Sequence, residues 1–487
     1  MQLIAIEEFR KKVERQYIGF SPATTGVKPV HIANGLFRCI MEYTSDTTAL
    51  FRFVISQSAK GEIPSGHSLT AVYDTLSGEN RLDSKEVEIE ELGRLRQLLK
   101  KVVAADSAVF AEKGMESYTA GSISFLSNDR IAQDGGEFVA AWLKRTNSSL
   151  HSCIKKSLED SSDIISVLAM PLRSENTKPY IPSDQFVEGI GFASQPLSNP
   201  DIVDLYRGLE KAANTLSHHL ENHSSKLFRL RIAVLFASFF LIRYMSSLAA
   251  CYIAEEKETI PPFLLDFSKD SIEPVAKSSL MTYSRSCQAI ARFYAWAFGE
   301  KLKELYTLDE LKTISPPTYK NHQTSIEMKE VWDVAVQASS QSKQPYSEFG
   351  RAVYDMMAME AEANPISYMR RLGLLSGYLY PPNQSAQRYV LKEDALEMLV
   401  RGAIDPGESV NMSTLQDRFW QRYRIIIGGR DEDDSSLQKL GIYQVDNKAL
   451  RENRDNFANA LSKLNFARLL ADGVLQVKTE VANVSRT

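Results

Sequence analysis

The sequence is organised around its longest apolar stretch, residues 225–255, which reads SKLFRLRIAVLFASFFLIRYMSSLAACYIAE. Every residue from Ile232 to Ile242 except Ser238 is apolar. Because a membrane span needs about 20 consecutive, mostly apolar residues, this run is too short, and arginines flank it at both ends. A helix that is apolar nearly all round is buried inside a large domain. The stretch therefore predicts a buried core helix rather than a membrane-surface segment, and no membrane partner is expected.

Length and composition indicate an ordinary multi-domain globular protein. The chain has 487 residues, a net charge of -4 and a hydrophobic fraction of 44%. This charge gives no overall attraction to nucleic acid, so any such contact has to come from a local basic patch. The four cysteines form no CxxC pair, and the N-terminal residues lack the pattern of a signal peptide. We therefore expect a cytoplasmic protein with reduced thiols.

The fold class is predicted to be mainly α, with a small mixed α/β domain over residues 1–180. The helices expected in this first domain cover residues 4–16, 88–105 and 136–156. The strands expected there cover residues 50–56, 122–126 and 164–170. Residues 174–200 are rich in Pro, Gly, Ser and Asn, and this composition marks the best domain boundary of the chain.

A large helical domain is predicted over residues 201–385. Its expected helices cover residues 201–222, 225–255, 271–306, 327–337 and 348–361. Between the second and third of these helices, residues 263–270 predict a short hinge, because two prolines precede them and a helix follows.

Residues 386–487 predict a winged-helix-like domain, which we call the C-terminal module. Its expected helices cover residues 392–403, 412–424 and 447–464. A hairpin over residues 469–481 follows them, with Asp472-Gly473 at its turn. The acidic residues 430–436 are expected to form an exposed loop. Three helices followed by a β-hairpin are the element order of a winged helix.

Basic side chains near the second helix of the module are the candidate DNA contacts. They are Arg418, Arg422, Arg424 and Arg430. Arginine commonly contacts DNA phosphates, and such contacts strengthen binding without reading the sequence. The third helix, which reads a groove in many winged helices, carries Lys448 and Arg451 among acidic neighbours, as an ordinary solvated face does. Protein contact therefore stays the alternative to double-stranded DNA binding.

The usual signatures of catalysis are missing from the sequence. It contains no GxxxxGK(S/T), GxSxG or HExxH motif. His219 and His223 stand four residues apart, so a helix places both on one face, but zinc needs three or four ligands. Asp266 has the residue type of a nuclease carboxylate, although its position before a helix favours a cap or hinge. We expect no metal, no cofactor and no enzyme activity. The alternative is a metal-dependent nuclease or other enzyme with a site assembled from distant residues.

Two short segments carry a resemblance to a known group of proteins. Residues 264–268, LLDFS, open a helix that contains Ser279, and residues 388–391, RYVL, lead into the C-terminal module. In these segments the chain resembles the non-motor accessory subunits of bacterial anti-phage defence systems that work with HerA- or FtsK-type ATPases. Examples are the G subunit of phosphorothioation-dependent restriction and subunits of methylation-associated defence. The resemblance implies a non-enzymatic subunit whose partners are other proteins, including an ATPase encoded nearby, and whose C-terminal module contacts either double-stranded DNA or another subunit.

Overall fold

The structure is a computed structural model of the chain. It describes residues 5–22, 27–45, 69–78, 86–98, 134–169, 177–179, 199–253, 259–268, 270, 273–317, 326–360, 363–382, 386–471 and 474–479. The strands expected over residues 50–56 and 122–126 and the turn at Asp472-Gly473 lie outside these residues.

The described residues are mainly helical, as predicted. The first part contains Ile6–Val13, the π-helical turn Glu14–Ile18, Pro29–Met41, Leu69–Gly78, Asp134–Arg145, Ser149–Glu159 and Ile164–Ala169, and residues 89–98 are also helical. The middle part contains Pro200–Glu221, Lys226–Tyr252, Pro274–Leu305, Leu308–Thr313, Ile326–Ser339, Pro345–Met359 and Pro365–Leu375. The C-terminal module contains Glu393–Ala403, Met412–Tyr423, Asp431–Gln438 and Asn447–Lys463.

Within the part of the chain that the structure describes, the strands are short and form three small sheets. Tyr43–Ser45 pairs with Thr177–Pro179 in antiparallel fashion. Phe263–Leu264 pairs in parallel with Ile425–Ile426, with Phe263 opposite Ile425. In the third sheet Leu475–Lys478 is the middle strand, and its antiparallel neighbours are Ser409–Asn411 and Ala467–Leu469.

The helix Lys226–Tyr252 lies in the centre of the core, and we call it the central helix. Ser225 caps it, because its hydroxyl accepts a hydrogen bond from the backbone N–H of Phe228 at 3.3 Å. Phe239 on this helix contacts aromatic rings of Phe263, Tyr378 and Tyr423. By length and composition alone the helix could cross a membrane, but its apolar window is wholly buried in the protein. The predicted burial of this helix is confirmed.

Two predictions for the first domain are wrong, and local capping explains both. The single helix expected over residues 136–156 is two helices, because Asn147 adopts a left-handed conformation (φ +48°) and Ser148 caps a new helix. Residues 164–169 form a helix instead of a strand. The Asp163 carboxylate accepts a hydrogen bond from the Ser166 backbone N–H at 3.0 Å and so begins that helix.

The predicted loop over residues 430–436 is also wrong, since Asp431–Gln438 is a helix. Asp433 is buried on it, and its carboxylate accepts a hydrogen bond from the backbone N–H of Arg430 at 3.1 Å. Four acidic residues occupy the first turn of this helix, where the helix dipole favours negative charge. A run of carboxylates therefore stabilises a helix start here instead of forming a solvated loop.

The segment predicted as a hinge, residues 263–270, begins as a fixed part of the core, because residues 263–266 are buried. Its strand Phe263–Leu264 is buried and pairs with Ile425–Ile426 of the C-terminal module. Asn453 reinforces the pairing: its amide donates hydrogen bonds to the Leu265 carbonyl at 2.8 Å and the Ile427 carbonyl at 2.7 Å. A partner more than 150 residues away leaves no trace in the local pattern, which is why these residues read as a hinge.

A buried carboxylate joins the first helices to the middle part. Glu14, in the π-helical turn, accepts a hydrogen bond from the Ser21 hydroxyl at 2.7 Å and lies 3.5 Å from both Arg10 and the Tyr294 hydroxyl. Burial raises the pKa of Glu14 to about 7, although the nearby charge of Arg10 acts to lower it. The π-helical turn thus holds a carboxylate whose ionisation is unfavourable in the folded protein.

Candidate nucleic-acid interface

The helix Met412–Tyr423 carries two of the four candidate arginines, Arg418 and Arg422, and a third, Arg424, directly follows it. Asn411 caps its start by accepting a hydrogen bond from the Thr414 backbone N–H at 2.8 Å. It ends at Arg424, which adopts a left-handed conformation (φ +52°), and the chain then enters the strand Ile425–Ile426. Its helical period therefore decides which guanidinium groups lie inside the protein and which lie at its surface.

Arg418 is held by a carboxylate of its own module. Its guanidinium donates two hydrogen bonds to Glu408, both at 2.6 Å, and a third to the Ala403 carbonyl at 3.1 Å. This bidentate contact raises the pKa of Arg418 and lowers the pKa of Glu408. The side chain therefore fixes the loop between two helices of the module.

Arg422 is a packing residue between the module and the middle part. Only 3% of its surface is exposed, and its guanidinium donates hydrogen bonds to Thr215 at 3.1 Å and to the Gly402 carbonyl. Burial lowers its pKa. Gly208 makes this approach possible, since a Cβ there would lie 2.3 Å from the Gln421 carbonyl oxygen. The Arg422 guanidinium is therefore enclosed by protein groups.

The other two arginines meet at one aromatic side chain. The guanidinium carbons of Arg424 and Arg430 each lie 5.0 Å from the centre of the Trp420 ring, within the range of a cation–π contact. Arg424 also lies 3.4 Å from Asp201, and Arg430 lies 3.0 Å from Asp417. The structure thus brings together Arg424 and Arg430, while Arg418 and Arg422 serve separate internal contacts.

A cavity of about 180 Å³ opens beside this cluster. Its walls are formed by Asp201, Thr259, Ile260 and Pro262 of the middle part and by Trp420, Arg424, Ser436, Lys439 and Leu440 of the module. We call it the Trp420 cavity. Sequence reasoning missed Trp420 and Lys439. The spacing of Trp420 and Arg424, four residues apart in one helical segment, could have indicated the first, but Lys439 follows the helix that was predicted to be a loop.

The third helix of the module, Asn447–Lys463, shows mixed charges. Lys448 lies 3.9 Å from Glu452, and Arg454 lies 2.8 Å from Asp455. A second cavity, of about 370 Å³, lies against this helix, and its charged wall residues are acidic: Glu273, Glu452 and Asp455. Carboxylates at this position repel DNA phosphates, so this helix offers no basic groove-binding face.

His219, His223 and Asp266, the residues on which the enzyme alternative rests, do not form one site. His219 is buried, donates a hydrogen bond to the Ile404 carbonyl at 2.7 Å, and has its pKa lowered to about 4 by burial. His223 stacks on Phe228, with ring centres 4.0 Å apart. The Asp266 carboxylate is paired with Arg388. In the part of the chain that the structure describes, no three His, Cys, Asp or Glu side chains are arranged to hold a metal ion.

Comparison of the chain with models of known protein families, with curated proteins and with solved structures finds no match.

Proposed function

We propose that this chain is a non-enzymatic structural subunit of a bacterial multi-protein complex and that its C-terminal module contacts a partner protein. The complex is cytoplasmic and, by the resemblance of residues 264–268 and 388–391, belongs to anti-phage defence, with an ATPase encoded nearby among the partners. The observation that carries this proposal is an exposed apolar surface at the end of the module.

This surface is the tip of the hairpin formed by Ala467–Leu469 and Leu475–Lys478. Leu469 is 67% exposed and Val474 is 45% exposed, and the backbone N–H of Leu470 bonds to the Val474 carbonyl at 2.9 Å. Leu475 lies opposite Leu469 in the strand register. We call these four residues the hairpin tip. Leu469 and Leu475 lie on one face of the hairpin and Leu470 and Val474 on the other, so a partner protein that encloses the tip would remove both exposed side chains from solvent.

The winged-helix classification belongs to the same proposal. The order of the elements supports this classification. The module contains, in chain order, helix Glu393–Ala403, strand Ser409–Asn411, helix Met412–Tyr423, helix Asn447–Lys463 and the terminal hairpin. The helix Asp431–Gln438 and the strand Ile425–Ile426 are inserted between the second and third helices of that order. The hairpin tip then corresponds to the wing.

Double-stranded DNA is the second candidate partner, and the charges of the module favour protein contact over it. The guanidinium group of Arg418 already donates hydrogen bonds to Glu408, and that of Arg422 to Thr215 and a backbone carbonyl. The third helix presents paired charges and an acidic cavity. DNA binding needs uncompensated cations along the phosphate backbone, and most of the basic side chains on these surfaces are already paired.

Affinity purification of the full chain from its native host tests the proposal. We expect partner proteins to co-purify with the wild-type chain and to be lost from the double variant Leu469→Asp, Val474→Asp, because charge at the hairpin tip opposes apolar burial. Val334→Asp is the matched control, since Val334 is 65% exposed on the helix Ile326–Ser339. A wild-type chain that purifies alone, or a double variant that keeps every partner, contradicts the proposal.

A further inference from the structure

Among the described residues that line the Trp420 cavity, two side chains are basic and one is acidic. Lys439 on its wall is exposed, and no ion pair engages it within the part of the chain that the structure describes. Arg424 lies 3.4 Å from the carboxylate of Asp201, which is largely exposed to solvent, and the charge of Asp204 also acts on it. Because water screens an exposed carboxylate strongly, Asp201 only partly offsets these two cations.

A third cation lies behind the wall of the cavity. Arg243, on the central helix, is fully buried and donates a hydrogen bond to the Pro261 carbonyl at 2.9 Å. Pro261 stands between Ile260 and Pro262, both of which line the cavity. The Nε and Nη2 atoms of Arg243 have no hydrogen-bond partner in the described part of the chain.

The buried guanidinium is electrostatically unfavourable in this state. Its carbon lies 4.0 Å from the centre of the Phe263 ring, which offsets part of the loss of hydration. Burial lowers the pKa of Arg243 to about 10, and the positive charge of Arg424 adds to that lowering. The side chain is still protonated at neutral pH, and a buried charge without a counter-ion is costly. An anion in the neighbouring cavity would reduce this cost.

We propose that the Trp420 cavity binds a phosphate group. Lys439 and Arg424 would supply the charged contacts and the Ser436 hydroxyl a hydrogen bond. Arg424 and Lys439 line the cavity against the exposed carboxylate of Asp201, and the buried Arg243 behind its wall adds positive charge, so the site favours an anion and a phosphate supplies more oxygen acceptors and more charge than a carboxylate does. Trp420, Ile260 and Pro262 form an apolar wall on which a ring attached to the phosphate can lie.

The size of the cavity restricts the source of the phosphate. About 180 Å³ accommodates one phosphate group and part of an attached ring, and it does not accommodate a double helix. The phosphate can therefore belong to inorganic phosphate, to a free nucleotide, or to the end of a nucleic-acid strand. The site is argued from described residues alone, and residues 254–258, which precede Thr259, lie outside them.

Thermal unfolding of the full chain at constant ionic strength tests this site. A ligand that binds only the folded state raises the melting temperature in a concentration-dependent way. We expect inorganic phosphate to raise it relative to sodium chloride. We expect Lys439→Ala to weaken the apparent affinity about tenfold, the size of one lost charged hydrogen bond. Lys448→Ala is the matched control, because Lys448 is an exposed lysine of the same module outside the cavity.

Further ligands in the same experiment identify the molecule that supplies the phosphate group. A nucleoside monophosphate that binds more tightly than phosphate supports a nucleotide site, and equal binding supports free phosphate. A short single-stranded oligonucleotide that binds better with a 5′-phosphate than without it supports a strand end. A melting temperature that no arm raises, or an equal loss of affinity in Lys439→Ala and Lys448→Ala, overturns the proposal.

Discussion

Asn453 offers the sharpest test of how the C-terminal module is joined to the rest of the chain. Its side chain is 1% exposed and makes three hydrogen bonds to backbone groups of two different segments. The amide nitrogen donates to the carbonyls of Leu265 and Ile427, and the amide oxygen accepts from the Phe267 N–H at 2.8 Å. The residue therefore connects the third helix to both strands of the parallel pair.

Asn453→Ala leaves these three backbone groups without their partners. A buried polar group that loses its hydrogen bond costs about 1–3 kcal/mol, so for three groups we expect a total loss of about 3–9 kcal/mol in the free energy of unfolding. That is a large part of the stability of a typical domain, about 5–15 kcal/mol. Asn453→Asp keeps the size but places an oxygen against two carbonyls, so it should destabilise at neutral pH and recover in part at acidic pH, where a protonated carboxyl can donate.

Urea unfolding of the full chain, followed by circular dichroism, measures the effect. Asn456→Ala is the control on the same helix, since no hydrogen bond of its side chain is found in the described part of the chain, and it should change stability by less than about 0.5 kcal/mol. A loss below about 1 kcal/mol in Asn453→Ala would refute the reasoning, because at least one backbone group would then have found another partner.

Two further predictions concern buried groups. Phe239→Asp should make the chain insoluble or unfolded, because Phe239 is buried among three aromatic rings and an unpaired charge there is very costly; a soluble, normally melting variant would contradict the burial of the central helix. The folded pKa of Glu14, about 7, exceeds its unfolded value, 4.5, so the folded state holds a proton that the unfolded state releases, and stability from this group falls as pH rises between these values. Glu14→Gln should therefore gain on the order of 3 kcal/mol relative to wild type between pH 4 and pH 8, measured by urea unfolding at each pH, and parallel pH profiles would contradict this.

The long helices could be predicted from sequence because their signals are local. A continuous apolar run predicts the central helix. The predicted helix over residues 201–222 matches Pro200–Glu221, which is capped by Asn199 and begins at Pro200. The helices of the C-terminal module follow their apolar spacing in the same way. What a short window of sequence contains is enough for these elements.

The two errors in the first domain come from local caps that the apolar pattern does not show. The other errors have a different cause, because they depend on groups outside the window. The strand Phe263–Leu264 needs Ile425–Ile426, and the acidic helix Asp431–Gln438 needs the burial of Asp433. The candidate site shows the same limit. The four candidate arginines could not be told apart in the sequence. In the structure, Arg422 is internal because it donates a hydrogen bond to Thr215, more than 200 residues away. Arg424 and Arg430 are neighbours because both contact the ring of Trp420.

The contacts across residue 386 have a consequence for the binding surfaces. The predicted division of the chain at this residue would separate Arg422 from Thr215, His219 from Ile404, and the two strands of the parallel pair. It would also divide the Trp420 cavity, because Asp201, Ile260 and Pro262 form one part of its wall and the module forms the rest. The hairpin tip, by contrast, is built from the module alone. A phosphate group bound in the cavity would therefore contact both parts of the chain and stabilise their association, whereas a partner protein at the hairpin tip would not need the middle part. If the cavity and the hairpin tip act independently, Lys439→Ala should weaken phosphate binding and still co-purify with every partner protein.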